Sequence, residues 1–311
     1  MTILVVGAGG TLGRATTRQL LSKGHAVRAL VRDRTKAEPL RKLGAEIVVG
    51  DLTDPPSLAR ACKGAERVFA CAHGLLGRGD QSSAQVDHVG PSALVVAARE
   101  AHVDHFVYTS ALGAADDHPI DFFRTKREIE GVVKDSGMGW TVLRPAAFME
   151  QHVHRFNGQP LLERGFTVLI GPASKPRNFV AVRDVVPFAL IALTEDRLNG
   201  RTLEIGGPDN VSNTQVAHMY AVRAHLPRGR VKHLPAGLAR WIAHAVRPLH
   251  EGVARVIDLA LLDRNASWSA TKLLAEFPVR LTGVEDFIDE QVSAWRRKGK
   301  RPQPGRHSEG A

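Results

Sequence analysis

Only two cysteines, Cys62 and Cys71, occur among the 311 residues of this chain. Two thiols cannot form a disulfide framework, and their spacing does not fit a metal site, so we expect a reducing compartment. No apolar run approaches the length of a membrane span, and the first predicted strand begins at residue 2 or 3, which leaves no room for a signal peptide. The sequence therefore predicts a cytoplasmic protein without integral membrane contact.

Positive charge is abundant but unevenly placed. The formal net charge is +10, and the segment 296–311 contributes half of it, because it holds six arginine and lysine residues against one glutamate. Proline and glycine are frequent there too, so we expect a disordered basic tail. No groove-reading motif or aromatic interleaving accompanies the charge, which argues against nucleic-acid binding. The fourteen histidines show no zinc-site spacing, so no catalytic metal is expected.

The first apolar strand runs directly into a glycine-rich turn, Gly7-Ala8-Gly9-Gly10-Thr11-Leu12-Gly13. Glycine permits both a tight turn and a close approach of the backbone to a pyrophosphate. The helix predicted over Thr11–Ser22 points its free N–H groups and its positive dipole end at such an anion. A second strand, Ala26–Val31, follows, as a dinucleotide-binding βαβ unit requires. We therefore assign residues 7–13 to the cofactor phosphates.

Basic residues after the second strand indicate which cofactor is bound. An acidic residue near this point bonds the ribose 2′-hydroxyl of NAD, whereas an arginine accommodates the 2′-phosphate of NADP. Arg32 lies at the strand end, with Arg34 and Lys36 beside it. A guanidinium binds phosphate through paired, charge-assisted bonds, so NADP(H) is favoured over NAD(H). Asp33 leaves room for NAD, and a solvated basic loop is the alternative.

Apolar strands and helical segments alternate along the first half of the chain. Six candidate strands are Ile3–Val6, Ala26–Val31, Glu46–Val49, Arg67–Cys71, His105–Tyr108 and Thr141–Leu143. This alternation predicts an α/β fold with a doubly wound parallel sheet, the Rossmann fold.

Ligands on such a sheet bind at the carboxyl ends of the strands, which adds Asp51, Leu52, Ala72 and His73 to the candidate cofactor site. Asp51 either accepts from the adenine amino group or caps the helix predicted over Asp54–Lys63. His73 either contacts the cofactor ribose or is a packed or solvated residue.

The alternation loosens from about Pro145. A strand at Phe166–Ile170 and a strand pair at Phe179–Val182 and Thr202–Ile205 are predicted, with helices near Arg183–Leu193, Asn213–His225, Gly237–Asp263 and Val284–Arg297. We expect residues 1–150 to form the NAD(P)-binding domain and residues 151–295 to form a smaller, mainly helical substrate lobe interleaved with it. The basic amphipathic stretch Leu238–Leu262 has the pattern of a membrane-surface helix, but packing explains its leucines and isoleucines better.

Several short segments occur in an order and spacing that resemble one protein family. They are the glycine turn, Val31–Asp33, Gly50–Asp54, Phe106–Ser110, Lys126–Glu130, Leu143–Pro145, Phe148–Glu150 and Val182–Val185. Together they resemble an atypical short-chain dehydrogenase/reductase of the NmrA-like, NAD(P)H-binding group, from residue 2 to about residue 295. The resemblance implies a Rossmann domain, a small C-terminal substrate lobe and NADP preference. It does not imply one activity, because some members reduce quinones, enones or ethers and others act as redox-responsive regulators.

One departure from the family pattern concerns catalysis. Short-chain reductases use Tyr-x-x-x-Lys, in which the tyrosine donates a proton and the lysine lowers the pKa of the phenol and holds the nicotinamide ribose. Here the pair is Phe122 and Lys126, and phenylalanine has no proton to donate. The resemblance implies that Lys126 acts as the acid or the ribose anchor. The alternative is an exposed helix lysine paired with Glu130 one turn later.

Further positions from two of the predicted strands and the segment after Pro145 complete the candidate site. Ser110 resembles the family serine that bonds substrate or nicotinamide, unless Ala111 holds that place. Tyr108 lies on the same face of the strand and either supplies a hydroxyl or packs in the core. Pro145 ends the sixth strand and is assigned to the cofactor site. Phe148, Met149 and Gln151 should line the nicotinamide or substrate side, and Phe148 is also assigned to the cofactor.

Two functions follow from this reading of the sequence. The first is an NADPH-dependent oxidoreductase that transfers hydride to a small planar electrophile, a quinone or a conjugated carbonyl, without the usual tyrosine. The second is a non-catalytic NADP(H)-binding redox sensor with a regulatory protein partner.

Overall fold

The computed structural model describes residues 1–77, 79–226, 231–262 and 264–299. Twelve strands occur among these residues: β1 (Thr2–Val6), β2 (Ala26–Val31), β3 (Glu46–Val49), β4 (Arg67–Ala70), β5 (His105–Thr109), β6 (Gly139–Pro145), β7 (Ala147–Phe148), β8 (Thr167–Ile170), β9 (Arg177–Val180), β10 (Arg201–Ile205), β11 (Asn210–Val211) and β12 (Val231–Leu234). The segment 300–311, which includes most of the predicted basic tail, lies outside the described residues.

Twelve α-helices lie within the same ranges: α1 (Thr11–Ser22), α2 (Glu38–Arg41), α3 (Pro55–Cys62), α4 (Gly90–Glu100), α5 (Asp121–Lys134), α6 (Gln159–Arg164), α7 (Val182–Thr194), α8 (Asn213–Arg223), α9 (Ala236–Val246), α10 (Glu251–Leu261), α11 (Thr271–Glu276) and α12 (Val284–Arg297). Thr35–Ala37 and Gly79–Gln81 are 3₁₀-helical, and Ala84–Val89 and Met149–Gly158 are π-helical.

Contacts divide the chain into two units. The first consists of Met1–Pro145, Val182–Ile205 and Val246–Val256, and the second consists of Ala146–Ala181, Gly206–Ala245 and the chain from Ile257 onward. The expected boundary near residue 150 and the role of the smaller part in binding substrate stay predictions.

The first unit contains a seven-stranded sheet in the order β10-β6-β5-β4-β1-β2-β3. Every neighbouring pair in it is parallel. This arrangement confirms the predicted doubly wound α/β fold. The connections leave in opposite directions from β1 and β4, and the crevice outside the carboxyl ends of these two strands is where such sheets bind ligands.

The predicted pairing of Phe179–Val182 with Thr202–Ile205 is wrong. β10 instead joins the main sheet beside β6, with Arg201 opposite Thr141, and buries Leu203 and Ile205. In the second unit β9 pairs with β7 and β11. Local alternation of apolar residues predicts a strand but does not specify its partner.

The helix predicted over Gly237–Asp263 is interrupted. α9 ends at Val246 and α10 begins at Glu251, with Pro248 between them. Proline has no N–H to donate and its ring clashes with the preceding turn, so a helix does not continue through it easily. Asp263 lies outside the described residues. Over the described ranges, the helices are too short or too polar to cross a bilayer.

Candidate functional site

Glycines build the turn between β1 and α1 because the loop after β4 lies against it. Gly7 has a φ of 95°, and a Cβ there would lie 2.7 Å from the backbone nitrogen of Ala72. A Cβ on Gly13 would lie 2.3 Å from the Gly7 carbonyl oxygen. The protein's own backbone therefore requires glycine at both positions.

Gly9 differs from these two glycines. A Cβ on Gly9 would meet nothing within 4 Å, and Gly9, Gly10 and Thr11 are exposed, whereas the Leu12 side chain is buried. α1 starts without a side-chain cap and without an acidic residue in its first turn. Its first N–H groups and positive dipole end are thus available to an anion. The turn has the form of a phosphate cradle in which space is kept open at Gly9.

A chain of side-chain hydrogen bonds joins the end of β2 to the end of β3. Nη1 of the exposed Arg32 donates to Oε1 of Gln81. Nε2 of Gln81 in turn donates to Oδ2 of Asp51 at 3.0 Å. Two residues predicted to bind the cofactor are therefore held together by a third that sequence reasoning missed. Gln81 ends the short 3₁₀ helix Gly79–Gln81 after β4 and belongs to no motif that would have indicated it.

The Asp33 carboxylate forms its contacts with Thr35 and Lys36, which belong to the same loop after β2. Its Oδ1 accepts from the hydroxyl of Thr35 at 2.6 Å and from the N–H of Thr35 at 2.9 Å. Nζ of Lys36 lies 3.7 Å from Oδ2. The Thr35 hydrogen bonds, with help from Lys36, hold the pKa of Asp33 below its usual range. Asp33 is thus ionised and already bonded, while the neighbouring Arg32 faces solvent.

Asp51 does not cap the helix that follows it. Its Oδ1 accepts from the N–H and the hydroxyl of Thr53 at 2.9 and 2.8 Å. Asp54 is the residue that precedes α3, and its side chain makes no capping bond. Two prolines, Pro55 and Pro56, open the helix and remove N–H groups that a cap would satisfy. The capping alternative is therefore wrong.

The other residues expected near the cofactor occupy different environments. Leu52 is buried in the core of the first unit. Ala72 is half-buried against the glycine turn, and His73 is exposed. Pro145 is buried at the end of β6, whereas Phe148 belongs to the second unit, where it is half-buried.

Lys126 is a buried residue in an ion pair with Asp87. Nζ lies 3.1 Å from Asp87 Oδ1, and the side chains are 2% and 0% exposed. The other oxygen of Asp87 accepts from the Gly74 N–H at 3.0 Å and from the Ser83 hydroxyl at 2.6 Å. The expected exposed pair of Lys126 with Glu130 is therefore wrong. The sequence did not indicate Asp87 as a site residue, because it lies in a π-helical turn without a recognisable motif.

Aromatic rings and hydroxyls surround the Lys126 ammonium. It lies 5.1 Å from the ring centroid of Tyr108 and 5.4 Å from that of Phe122. The hydroxyls of Tyr108 and Thr109 are buried without a well-formed hydrogen bond. Burial opposes the charge on Lys126, but Tyr108 and Asp87 outweigh it and raise the pKa of the ammonium. Burial also raises the pKa of Tyr108 to about 12. Lys126 thus stays charged and Tyr108 stays neutral near neutral pH.

Ser110 belongs to a second buried network. Its hydroxyl donates to Oε1 of Glu130 at 2.6 Å. Arg144 binds both oxygens of that carboxylate, at 2.7 and 2.6 Å. The sequence analysis considered Glu130 only as a partner of Lys126. Glu130 is fully buried, and its negative charge is balanced by the ion pair with Arg144. Tyr108 and Lys126 therefore lie together, while Ser110 is engaged elsewhere and Ala111 is half-buried.

The sequence of this chain is similar to those of several known proteins. The family pattern described as NAD(P)H-binding matches residues 7–165. An NAD(P)H azoreductase from Xenophilus azovorans is 32% identical over 226 residues, which are 72% of this chain and 74% of that protein. Photosystem II assembly factor Ycf39 from Trieres chinensis is 30% identical over 219 residues, 70% of this chain and 68% of that protein.

A solved structure shares the fold. The NADPH-dependent quinone oxidoreductase QOR2 from Escherichia coli, complexed with NADPH, superposes with a TM-score of 0.72 at 22% identity. The superposition covers 93% of this chain and 99% of the other. At this identity the similarity is one of fold alone.

Proposed function

Since this chain belongs to the NAD(P)H-binding family, among the NmrA-like atypical short-chain reductases, we propose that it is an NADPH-dependent reductase of a small planar electrophile, a quinone or a conjugated carbonyl. The observation that carries the proposal is the open space at Gly9 in front of the uncapped end of α1. When bound, NADPH supplies the hydride. Its pyrophosphate would be held by the turn Gly7–Gly13.

The residues after β2 support a preference for NADP over NAD. Arg32 is exposed and oriented by Gln81, so its guanidinium would bind a 2′-phosphate without first leaving a buried ion pair. Asp33 would bond a free ribose 2′-hydroxyl, but its Oδ1 already accepts two hydrogen bonds from Thr35 and its Oδ2 lies beside Lys36. The charge balance at this edge thus favours the phosphorylated cofactor.

The environment of Lys126 supports a substrate that needs no strong acid from the protein. Position 122 has no proton, the pKa of Lys126 is raised by its partners, and the pKa of Tyr108 is raised to about 12 by burial. Reduction of a simple ketone or aldehyde produces a basic alkoxide that requires an acid in the same step. Reduction of a quinone or conjugated carbonyl leaves a delocalised anion that water can protonate later. The azoreductase among the similar proteins is named for the reduction of an acceptor other than a simple ketone or aldehyde, which agrees with this proposal.

A second candidate function is favoured by the burial of the three expected catalytic residues. Tyr108, Ser110 and Lys126 are all buried, and Ser110 is bonded to Glu130. Such a site suits a protein that binds NADP(H) without turnover and whose contact with a partner protein changes with the redox state of the bound cofactor. The similarity to a protein named an assembly factor agrees with this alternative.

Turnover assays distinguish the two functions. The purified protein is mixed with NADPH and a panel of quinones, azo dyes, enones and aldehydes, and loss of NADPH absorbance is followed. We expect oxidation with quinones or enones and little with aldehydes. Tight NADPH binding without oxidation across the panel would favour the sensor, and absence of NADPH binding would refute both functions.

The assay needs a suitable variant of Lys126. Lys126→Ala alone would leave the buried Asp87 carboxylate unpaired. The doubly substituted Asp87→Asn/Lys126→Met protein keeps the buried site neutral, so its turnover is measured beside that of Lys126→Ala and the wild type. If Lys126 anchors the nicotinamide ribose, both variants lose turnover. If the double variant keeps full turnover, Lys126 has only a structural role.

A further inference from the structure

The stretch 210–250 is rich in basic residues and has no acidic residue of its own. Its six basic residues are Arg223, Arg228, Arg230, Lys232, Arg240 and Arg247. Together with the segment 296–311, it accounts for the whole positive charge, so the rest of the chain is almost neutral. A charge of one sign that is concentrated in this way indicates an anionic partner.

α9 lies within this stretch and presents large apolar side chains to solvent. Leu238 is 48% exposed and Trp241 is 68% exposed, and their spacing of three residues places them on one face of the helix. The buried residues of this helix are Ala239 and Ala243. An ordinary surface helix buries its large apolar residues and exposes small or polar ones. The expectation that packing explains the leucines and isoleucines of Leu238–Leu262 is therefore wrong for Leu238.

A cation accompanies the exposed apolar pair. Arg240 is exposed, and among the described residues it has no ion-pair or hydrogen-bond partner. Arg223, by contrast, is paired with Glu285 and Asp289, so its charge is not available in the same way. Elsewhere in the second unit Lys232 lies over the partly exposed ring of Phe166 at 5.1 Å, a second case of a cation beside an exposed aromatic ring.

We propose that α9 docks on an anionic lipid surface. Leu238 and Trp241 enter the headgroup boundary, and Arg240 binds lipid phosphates. An interfacial helix needs an apolar face with Trp or Leu and a cationic flank, and tryptophan is the residue most enriched at membrane interfaces. A uniformly anionic leaflet matches a stretch that carries no acid at all. The contact is peripheral, because none of the described helices can cross a membrane.

Vesicle sedimentation tests this proposal with the full chain. Binding is measured to vesicles of phosphatidylcholine and of phosphatidylcholine mixed with phosphatidylglycerol. We expect binding to the anionic vesicles only. Arg240→Gln should lower the partition coefficient about fivefold, as expected for one basic residue near the surface, and Trp241→Ser should lower it further. The basic terminal segment is present in every variant, so it cannot cause these differences.

Matched controls lie outside the stretch 210–250. Leu43 is 52% exposed and Arg60 is exposed, so Leu43→Ser and Arg60→Gln remove the same groups from other places. They should bind vesicles as the wild type does. All variants should keep the wild-type unfolding midpoint and NADPH affinity. Trp241→Phe should retain binding but lose the quenching of tryptophan emission by brominated lipid.

Three outcomes would overturn the proposal. The first is an absence of wild-type binding to anionic vesicles, and the second is equal binding by Trp241→Ser. The third is binding to duplex DNA or polyglutamate that equals vesicle binding and does not depend on Trp241, which would assign the stretch to an acidic macromolecule. Self-association that is lost in Trp241→Ser, without vesicle binding, would show that a second copy covers α9 instead.

Discussion

The Lys126 ammonium and the Asp87 carboxylate lie 3.1 Å apart with both side chains buried. Asp87 also holds the loop after β4 through the Gly74 N–H and the Ser83 hydroxyl. The pair therefore connects α5, which carries Phe122 and Lys126, to the loop at the end of β4. Both of these segments lie where a Rossmann sheet binds its cofactor.

Breaking this pair should be costly. Asp87→Asn leaves a buried ammonium without a counter-charge and should lower the free energy of unfolding by about 3–5 kcal/mol. Lys126→Met should have a similar effect, whereas Asp87→Asn/Lys126→Met should cost clearly less than the sum. Urea unfolding measures all three. Arg41→Gln, which breaks the exposed pair with Glu38, should cost less than about 1 kcal/mol. Strictly additive effects would show that the two groups are not coupled.

The glycines of the first turn should separate folding from cofactor binding. Gly13→Ala forces a methyl group against the Gly7 carbonyl and should destabilise the protein by about 1–3 kcal/mol. Gly9→Ala meets no protein atom and should change stability by less than about 0.5 kcal/mol. It should nevertheless weaken NADPH binding about tenfold, because the methyl group occupies the phosphate cradle. Calorimetry and thermal unfolding check both results, and wild-type affinity in Gly9→Ala would place the phosphates elsewhere.

Arg32 should determine the choice between cofactors. Arg32→Ala should weaken NADPH binding by about tenfold to a hundredfold, as expected for hydrogen bonds to a charged group, and leave NADH binding unchanged. Arg34→Ala is the matched control, because Arg34 is also an exposed arginine of this loop. Titration of both cofactors into each protein gives the four affinities. Equal losses for NADPH and NADH in Arg32→Ala would argue against the 2′-phosphate assignment.

His105 should contribute to acid sensitivity. Burial, together with Arg67, lowers the pKa of His105 from 6.5 to about 4, and its Nε2 lies 2.9 Å from the Thr141 hydroxyl. The unfolded chain binds the extra proton first, so stability is lost as the pH falls from 6.5 to about 4. The loss due to His105 should be about 2–3 kcal/mol. His105→Gln should show a smaller loss over this range, and the exposed His218→Gln should behave as the wild type does.

A tyrosine at position 122 should extend the substrate range. The Phe122 ring already lies 5.4 Å from the Lys126 ammonium, so Phe122→Tyr would restore the Tyr-x-x-x-Lys pair. If the proposed reductase lacks only the acid, aldehyde reduction should rise by about a hundredfold, at the lower end of the range for general acid catalysis. Phe123→Tyr places the hydroxyl one residue away and should produce no gain. No change in Phe122→Tyr, with quinone turnover intact, would mean that position 122 does not face the reacting carbonyl.

The sheet and the glycine turn were predictable because both depend on local sequence. Apolar strands of four to seven residues and helices that follow closely leave few alternatives to a parallel sheet. The need for glycine at position 13 likewise follows from the tight strand-to-helix connection, since a Cβ there would meet the Gly7 carbonyl. At position 7 the positive φ belongs to the same turn, whereas the close contact with Ala72 comes from the loop after β4.

The partners of the charged residues were not predictable. The rule that helix residues four apart pair with each other assumes a solvated face, yet Lys126 and Glu130 both point into the interior. Each finds its counter-charge on a different segment: Lys126 on the π-helical turn with Asp87, and Glu130 on β6 with Arg144. Such partners depend on how distant segments pack, which no short pattern encodes. The same holds for β10, whose place beside β6 is set by the packing of the whole sheet.

The side-chain amide that spans Arg32 and Asp51 has a polarity of its own. Its oxygen must face the guanidinium and its nitrogen must face the carboxylate, so only one of the two orientations of the Gln81 amide satisfies both neighbours. A glutamate there would turn an oxygen toward Asp51 and repel it, and an asparagine would be too short to bridge them. The relative placement of Arg32 and Asp51 therefore depends on a residue that lies outside the short segments by which the sequence resembles its family, although those two residues lie within or beside such segments.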